Sequence, residues 1–555
     1  MTDIKIKTKV KDGANAQEIF EAILESRGYK TAKERDAFLH PPEPSLEYLL
    51  KESGVTKTVL AKAKKILDAH ISLGHDICVF GDYDADGVTS CAIMWQAITA
   101  YAKQQGSSSR ILPFIPDRHK HGYGLGDKAV GEVIIGTAFG TGQYKDFSPK
   151  LIITVDTGIV AHAGIKSFRD AGIDVIVTDH HLPLEVGLPP ATAIIHTLHT
   201  SGAGVAWIFA MYLLGEPGMQ LLDLVTIGVV ADMMPLTGLN RSIAAHGLKL
   251  LSHTKRVGLI AMKTVMGVAE KSLTTYDISF GIAPRINASG RIYNPLDALR
   301  LLCSSNPEIS QVLAGKIESH NKDRQEYTDR ALKMVVGKDI AHKIIVVIGD
   351  YHEGVIGLVA GKLTELFHRP AVVMSDNGDV IKGSARSVSG VNITDLLRSL
   401  QTPFLGLGGH DQAAGFSLAK DQVAPMKDEL EQLADTTIAD SLLLKSHSAD
   451  LSLPLSSTSL SLAKLLHTLE PFGMRNQKPK FLLENLTVLE DRKLGAEGKH
   501  RKLTVEQNGT TRELMLFNAK EDYPLKYIKA LICTIDINVW QNKESLQLIG
   551  SYVEL

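Results

Sequence analysis

Three aspartates at alternate positions make the stretch Gly81-Asp82-Tyr83-Asp84-Ala85-Asp86-Gly87 the most chemically distinctive part of the sequence. The apolar run Ile77–Phe80 before it predicts a buried strand, and the apolar spacing from Val88 to Lys103 predicts a helix after it. The carboxylates are therefore expected where a strand ends and a helix begins, which is where open α/β sheets bind ligands. Crowding like charges is costly unless a cation neutralises them, and hard oxygen ligands suit Mg²⁺ or Mn²⁺. This stretch predicts a metal site.

A solvated acidic turn and a single calcium-binding loop are the alternative interpretations of the same stretch. The calcium loop requires a glutamate about six residues after its glycine, and Ile93 occupies that position. The solvated turn cannot be dismissed on this stretch alone, so the choice depends on which residues follow the other predicted strands.

Two further predicted strands end in side chains that can bind metals. Leu151–Val155 leads directly into Asp156, and Asp174–Thr178 leads into Asp179-His180-His181. In a parallel sheet these ends lie on the same rim as the first stretch. A single aspartate after a strand is usually a helix cap, and a histidine pair is usually on the surface. Three such ends in one sheet favour a metal site instead.

A fourth apolar run, Leu224–Val230, is followed by Ala231-Asp232. Here a helix that ends at an aspartate is the simpler interpretation, and the residues alone favour metal binding less than they do at the other three ends. Asp232 remains a candidate ligand.

The elements that position these residues alternate between strand and helix from Asp76 onwards, which is typical of a mainly parallel, doubly wound sheet. A second α/β unit begins at Lys343–Gly349 and continues with a helix at Val355–Phe367. After Leu469 the pattern changes to five short strands, which suit an OB-type barrel, a common platform for single-stranded nucleic acids. These strands are predicted at Lys480–Leu489, His500–Gln507, Arg512–Asn518, Leu531–Val539 and Ser545–Tyr552.

Length and composition narrow the class of protein. The 555 residues suit three or four domains, and the net charge of −2 excludes a globally basic nucleic-acid binder but not a local basic groove. The four cysteines are far apart without a C-x-x-C pair, which argues against zinc-finger and redox sites and favours a reducing compartment. We see no signal peptide and no apolar run long enough to cross a membrane. We therefore expect a soluble cytoplasmic protein.

The motifs, in their order along the chain, resemble those of the DHH phosphoesterase superfamily and most closely its RecJ exonuclease branch. The similarity extends over roughly residues 45–555. One departure is Phe80, which stands where the superfamily often has a histidine. The matching motifs are Asp82–Gly87, Asp156–Gly158, Asp179–His181, Val230–Asp232, Pro284–Arg291, Gly354–Gly357, Gly383–Ser387, Gly408–Phe416 and Pro471–Asn476.

The resemblance implies an α/β protein with two doubly wound α/β domains, DHH and DHHA1, joined by a long helix and followed by a C-terminal β-barrel of the OB fold. The implied division is a helical lead-in at 1–70, the DHH catalytic domain at 71–245, a helical connector at 246–340, the DHHA1 substrate-binding domain at 341–440 and the OB domain at 465–555.

The resemblance also implies a site with two divalent ions, Mn²⁺ or Mg²⁺, bridged by Asp156. His181 would donate to the scissile phosphate or protonate the leaving oxygen, and Asp179 would orient a histidine. The implied catalytic residues are Asp84, Asp86, Asp156, His180, His181 and Asp232, and the metal ligands are Asp82, Asp84, Asp86, Asp156, His180 and Asp232. The implied substrate-binding residues are Arg118, Arg285, Asn287, Arg291, Asn321, Arg324, Gln325, Ser384, Arg386, Gly408, Gly409 and His410.

The implied function is metal-dependent 5′-to-3′ exonuclease activity on single-stranded DNA, in DNA repair and recombination. A nano-RNase or dinucleotide phosphodiesterase of the same superfamily is one alternative, and a catalytically inactive replication scaffold is another. The partners expected are single-stranded DNA, a helicase and a single-strand-binding protein, with no membrane association. We expect the chain to be a monomer.

Overall fold

The computed structural model describes residues 4–11, 13–122, 124–140, 144, 146–335, 341–376, 378–495, 498–519, 525–541 and 543–555. The predicted domain bounds at residues 1 and 340 lie outside the described residues. In the part of the chain that is described, no helix has both the length and the apolar character needed to cross a membrane.

The N-terminal segment is mainly helical, with a break at 40–45 where the sequence has three prolines. Its helices begin where polar side chains cap them, because the caps satisfy backbone N–H groups that have no partner in the first turn. Asn15, Thr31, Ser45 and Thr56 act in this way. The elements are β1 (Ile4–Ile6), α1 (Ala16–Ser26), α2 (Ala32–Leu39), α3 (Leu46–Ser53) and α4 (Lys57–Ser72).

The first α/β unit contains a parallel sheet of five strands with helices on both faces, which confirms the doubly wound prediction. Along β2, Ile77 and Val79 point into one apolar layer, and Cys78 and Phe80 point into the other. The strand order is β3-β2-β4-β5-β6. The elements are β2 (Asp76–Phe80), α5 (Ala85–Gln104), β3 (Ile111–Phe114), α6 (Arg118–His121), α7 (Asp127–Ile134), β4 (Pro149–Val155), α8 (His162–Asp170), β5 (Asp174–Asp179) and β6 (Ala193–His196).

From the end of this sheet to Val335, all the regular elements are helices. The run Leu224–Val230 belongs to one of them, α10, so Asp232 follows a helix and not a strand. The 29-residue helix α16 joins the two halves, because Ile317 lies in the core of the first unit and Val335 in that of the second. The elements are α9 (Gly202–Leu214), α10 (Leu222–Ala231), α11 (Gly238–Ser252), α12 (Val257–Val265), α13 (Thr275–Asp277), a π-helix (Ile278–Ile282), α14 (Ala283–Ile292), α15 (Leu296–Cys303) and α16 (Pro307–Val335).

The second α/β unit also has helices on both faces of its sheet, but the sheet is mixed. β7 and β8 are parallel, as the predicted βαβ step requires, and the other strand pairs are antiparallel. The order is β10-β11-β9-β8-β7. The elements are β7 (Ile345–Gly349), α17 (Ile356–Phe367), β8 (Ala371–Ser375), β9 (Val380–Arg386), α18 (Ile393–Arg398), β10 (Gly406–His410), β11 (Ala413–Ala419) and α19 (Val423–Thr437).

The C-terminal unit is a closed five-stranded barrel, as predicted. Antiparallel pairing of β14 with β17 closes the sheet order β14-β15-β16-β18-β17. Its strands are mostly longer than the sequence patterns indicated. The elements are β12 (His447–Ala449), β13 (Leu451–Ser452), α20 (Leu460–His467), β14 (Phe481–Leu494), β15 (His500–Gln507), β16 (Thr510–Leu516), β17 (Tyr527–Trp540) and β18 (Lys543–Glu554).

The N-terminal segment packs against this barrel, although the two lie at opposite ends of the chain. β1 pairs in parallel with β12, and Phe20 and Ile23 of α1 are buried in the same core as barrel residues such as Phe481 and Leu503. The chain therefore returns to its own beginning, and its first helix shares one core with the barrel strands.

Candidate metal centre

The start of α5 holds the first three aspartates. The helix begins at Ala85, three residues earlier than the apolar spacing predicted, and Asp84 is its N-cap. The Asp84 carboxylate accepts hydrogen bonds from the backbone N–H groups of Asp86 and Gly87, both at 3.0 Å. Asp82 precedes this cap as a buried residue, and Asp86 is buried within the first helical turn.

The Asp86 carboxylate lies at the N-terminal end of a second helix, α9. It accepts hydrogen bonds from Ser201 Oγ at 2.9 Å, Gly202 N at 2.7 Å and Ala203 N at 3.0 Å, at the beginning of α9. Unpaired N–H groups and the positive end of the helix dipole stabilise a carboxylate there. The sequence analysis did not identify Ser201 or Gly202, whose only signal is a Ser-Gly-Ala-Gly stretch before an apolar run.

Two glycines make room for the carboxylates. A Cβ atom at Gly202 would lie 2.4 Å from Asp156 Oδ1, and one at Gly228 would lie 2.4 Å from Asp86 Oδ1. Both distances are far below van der Waals contact, so any side chain there would displace an acidic ligand. Gly228 is a further residue of the site that the sequence analysis missed.

Asp156, His180 and Asp232 complete the centre at the carboxyl ends of β4 and β5 and at the end of α10. His180 Nε2 lies 3.1 Å from Asp156 Oδ1, 3.8 Å from Asp232 Oδ2 and 3.9 Å from Asp86 Oδ2. Ligand atoms within 4.8 Å of one another form three groups among the described residues: Asp82, Asp84 and Asp156; Asp86, His180 and Asp232; and Asp156, His180 and His181. The structure therefore brings all six predicted metal ligands together.

Asp179 organises the two histidines. Its Oδ1 atom lies 2.8 Å from His181 Nδ1 and accepts a hydrogen bond from the backbone N–H of His180 at 2.7 Å. Its Oδ2 atom accepts one from Ile159 N at 2.8 Å. The hydrogen bond that His181 Nδ1–H donates to Asp179 raises the pKa of His181 to about 9, so this ring is held as a cation that can donate through Nε2.

Three of the acidic residues, Asp82, Asp156 and Asp232, are poorly stabilised as anions by the protein alone. Burial raises the pKa of Asp82 to about 8, and Asp84 adds to this shift. Burial also raises the pKa of Asp232 to about 8, and it raises that of Asp156 well above its usual value, with Asp86 contributing. Among the described residues, no group donates a hydrogen bond to the buried Oδ1 atom of Asp82. The Oδ1 atom of Asp156 has the ion-pair contact with His180 Nε2 at 3.1 Å but likewise accepts no hydrogen bond from a described residue. A divalent cation would satisfy both atoms and remove the repulsion, so this donor set fits Mn²⁺ or Mg²⁺.

Arginines from three parts of the chain lie beside the acidic rim. The guanidinium of Arg118 lies 5.7 Å from the centroid of the Tyr83 ring. Burial lowers the pKa of Arg291, and the nearby Arg118 lowers it further. The same pattern holds for Arg386 in β9, whose pKa is lowered by burial and then by Arg291 and Arg118. Three cations close together indicate a site for an anion.

The start of α17 supports this anion site. Arg386 Nη1 donates to Ser384 Oγ at 3.1 Å, and a Cβ atom at Gly357 would lie 3.1 Å from each of these side chains. Gly357 is the second residue of α17, so Ser384 and Arg386 lie against the first turn of the helix, where backbone N–H groups attract anions.

The other predicted substrate-binding residues have mixed surroundings. Asn287 Oδ1 accepts a hydrogen bond from Ala85 N at 2.8 Å, so Asn287 holds the metal loop in place. Arg324 donates to Asn321 Oδ1 on the same helix at 3.0 Å. Arg285 is engaged by Glu318 at 2.6 Å. Gln325, Gly408, Gly409 and His410 are exposed, and their contact with a substrate stays a prediction.

Comparison with known proteins agrees with the fold. The DHH family N-terminal domain matches residues 76–229, the DHHA1 domain matches 341–436, and the RecJ OB domain matches 449–551. A parallel sheet with this acidic and histidine rim, followed by a DHHA1 unit, defines a phosphoesterase of the DHH family.

Relatives that align with most of the chain show to which branch of the DHH family it belongs. The single-stranded-DNA-specific exonuclease RecJ of Bacillus subtilis is 34% identical over 548 residues, 95% of this chain and 67% of the relative. That of Escherichia coli is 30% identical over 576 residues, 96% of this chain and 95% of the relative. The crystal structure of Thermus thermophilus RecJ in complex with Mn²⁺ superposes with a TM-score of 0.81 at 26% identity, covering 100% of this chain and 79% of that one. The chain belongs to the RecJ family.

Proposed function

We propose that the chain is a metal-dependent exonuclease that hydrolyses the phosphodiester bonds of single-stranded DNA from the 5′ end, in DNA repair and recombination. The observation that carries this proposal is the convergence of six predicted ligands on one rim, in a chain of the RecJ family. The relatives named above are single-stranded-DNA-specific exonucleases, and a matched structure contains Mn²⁺.

Two divalent ions, Mn²⁺ or Mg²⁺, fit the three groups of ligand atoms. Asp82, Asp84 and Asp156 would hold one ion, and Asp86, His180 and Asp232 would hold the other, with Asp156 close enough to serve both. When bound, such ions supply a nucleophilic water of lowered pKa and stabilise the charge that develops on the phosphate.

The protein groups around the ions have separate roles. Asp179 fixes the orientation of the His181 ring and stabilises its protonated form, so that Nε2–H can face a phosphate oxygen or the departing oxygen. Ser201 and the first N–H groups of α9 fix Asp86, and Asn287 fixes the loop before α5. These contacts keep the ligands in place before the substrate arrives.

The anion site lined by Arg118, Arg291, Ser384 and Arg386 is suited to the terminal 5′ phosphate. Burial strengthens an arginine's interaction with a phosphate, because little water competes with it. A phosphate held there would lie beside the metal ligands, so hydrolysis would start at the 5′ end. This arrangement is the physical basis that we propose for the polarity.

We propose the domain division 1–70, 71–245, 246–340, 341–440 and 465–555, with the barrel binding the strand beyond the cleavage site. Arg501, a basic residue of β15, is only 2% exposed and pairs with Asp491, so it supports the barrel and does not face the strand. We also propose a cytoplasmic monomer that works with a helicase and a single-strand-binding protein.

One digestion series tests the proposed function. Single-stranded and duplex oligonucleotides, labelled at either end, and a dinucleotide are incubated with the chain and Mn²⁺. We expect release of short products from the 5′ end of single strands and little cleavage of blunt duplex. Hydrolysis of the dinucleotide alone would instead identify a dinucleotide phosphodiesterase, and no cleavage of any substrate would identify an inactive scaffold.

A further inference from the structure

A cleft lined by described residues lies between the metal centre and the barrel, outside the arginine site. Its volume is about 1600 Å³. Its lining includes Ala231 and Met233, on either side of the metal ligand Asp232, and Phe472 and Met474 of the segment that leads into the barrel. The cleft is therefore continuous with the metal centre at one end and with the barrel unit at the other.

An exposed aromatic pair stands in this cleft. Tyr276 and Phe280 are 66% and 68% exposed, and their ring centroids lie 4.6 Å apart with an angle of 30° between the planes. Large side chains of this kind are usually buried, because leaving them in water forfeits a substantial part of their hydrophobic stabilisation. Two of them side by side in the lining of a cleft indicate a surface that another molecule covers.

The backbone that carries the pair is firmly held. Tyr276 belongs to α13, whose capping box joins Thr274 and Asp277, and Thr275 Oγ1 donates to Phe472 O at 2.6 Å. Phe280 lies in the π-helix, between the fully buried Ile278 and Ile282. A π-helical turn is rare and often marks a functional site. Here the wide turn keeps both isoleucines in the core while Phe280 points outwards.

The chemistry of the cleft suits unpaired nucleobases. Its lining is mainly apolar and aromatic and includes the exposed Lys249. The half-buried Lys478 also lines it and pairs with Asp536 at 2.5 Å. A volume of about 1600 Å³ exceeds the roughly 300–1,000 Å³ of pockets for single small ligands. Proteins that bind single strands without sequence preference combine basic grooves with aromatic rings on which bases stack. A strand with its 5′ end at the metal centre has this cleft as a continuous route towards the barrel.

We propose that Tyr276 and Phe280 form a base-stacking platform for the unpaired strand between the metal centre and the barrel. This inference rests on the proposed exonuclease function and adds a binding site to it. Because stacking uses the faces of the bases, the platform would hold any sequence and would hold it only when the bases are unpaired.

Binding of a 20-nucleotide thymidine strand tests the platform. Fluorescence anisotropy with EDTA present measures affinity without cleavage, for the intact chain and for the double variant Tyr276→Ala/Phe280→Ala. We expect the double variant to bind at least about tenfold more weakly, as is typical when base-stacking aromatics are removed. Strands with one abasic nucleotide, moved stepwise from the 5′ end, should weaken binding to the intact chain at one or two positions. At those positions the abasic nucleotide should not weaken binding to the double variant, because the rings that would stack on the missing base are already absent.

Conservative variants separate stacking from general apolar contact. Phe280→Tyr keeps an aromatic face and should bind normally, whereas Phe280→Leu should bind weakly. Ile135→Ala, at a side chain 70% exposed on the first α/β unit, is the control and should change nothing. Equal affinities of the intact chain and the double variant, or full binding by Phe280→Leu, would overturn the platform. If the intact chain still degrades single strands in those cases, the proposed function stands.

Discussion

At the scale of single residues, Asp156 is the ligand with the strongest constraints. Its backbone has φ of 57°, in the left-handed region, and it stands within one group of ligand atoms with Asp82 and Asp84 and within another with His180 and His181. Asparagine tolerates left-handed backbone, whereas alanine there costs about 1–2 kcal/mol. Asn is therefore the substitution that removes the charge while it keeps the local conformation.

We expect Asp156→Asn to abolish turnover with Mn²⁺ and to weaken Mn²⁺ binding measured by calorimetry. Thermal unfolding in EDTA should occur at the wild-type temperature or above, because the substitution removes one of several crowded, buried carboxylates. Asp170→Asn, at an exposed aspartate of α8, is the control and should leave turnover and Mn²⁺ affinity unchanged. Turnover near the wild-type rate would refute the assignment of Asp156 as a ligand.

Arg386 is the second residue whose role can be isolated. If it binds the 5′ phosphate, Arg386→Ala should reduce the preference for phosphorylated over hydroxyl 5′ ends. The loss of a hydrogen bond to a charged group is about 1.5–3 kcal/mol, or a factor of about 10 to 150 in the ratio of kcat/KM values. Arg398→Ala, on an exposed arginine of α18 in the same unit, should leave the ratio unchanged. An unchanged ratio in Arg386→Ala would mean that residues other than Arg386 bind the 5′ phosphate.

At the scale of elements, the sequence predicted what depends on local pattern. The strand ends at Phe80, Val155 and Asp179 could be located to within one residue, because an apolar run followed by a polar residue is a local signal. The start of α5 could not be located to the residue, because its first turn carries polar ligands and the apolar spacing resumes only at Val88. Asp232 shows the opposite case: its element is a helix, and only the tertiary packing of α10 against α5 brings it to the rim.

Long-range contacts account for most of what the sequence did not predict. The hydrogen bonds from Ser201 and Gly202 to Asp86 connect residues more than a hundred positions apart. The same is true of Arg241 in α11, a fully buried guanidinium that donates to Phe38 O at 2.6 Å and to Glu470 O at 2.8 Å. No periodicity or motif marks such a residue, because each of its partners is a backbone carbonyl.

Arg241 should be important for stability, because it joins α2, the catalytic unit and the segment before the barrel. Burial lowers its pKa to about 10, but the side chain stays charged at neutral pH. In Arg241→Met several buried carbonyls would lose their donors, at a cost of about 3 kcal/mol or more in the free energy of unfolding. Denaturant titration measures this cost. Lys249→Ala on the exposed face of the same helix should stay within about 0.5 kcal/mol of wild type, and a similarly small effect in Arg241→Met would disprove the role.

At the scale of the whole molecule, the two ends of the chain are joined around the metal centre. β1 pairs with β12, α1 contributes to the barrel core, and Leu236 N donates to Met474 O at 2.8 Å, four residues after the ligand Asp232. Removal of the barrel would therefore expose part of the N-terminal core and remove a support of the metal loop. Contact between the barrel and DNA is better tested by changing the DNA than by truncating the protein.

The strand, if it runs from the arginine site through the aromatic cleft to the barrel, should show a dependence of binding on length and salt. The net charge of −2 gives no general attraction for DNA, so the salt dependence reports local phosphate contacts. Each such contact on a single strand contributes about 0.7 to the slope of log affinity against log salt. We expect the slope to steepen from trinucleotides to longer strands and then to level off once the strand reaches the end of the barrel.

The measurement uses the intact chain in EDTA and thymidine strands of 3 to 20 nucleotides. As a control, strands of full length with neutral methylphosphonate linkages in the 3′ half should return the slope of the shorter strands, because they keep the bases and lose only the charges that face the barrel. Equal slopes for 3 and 20 nucleotides would mean that the barrel does not contact the phosphates.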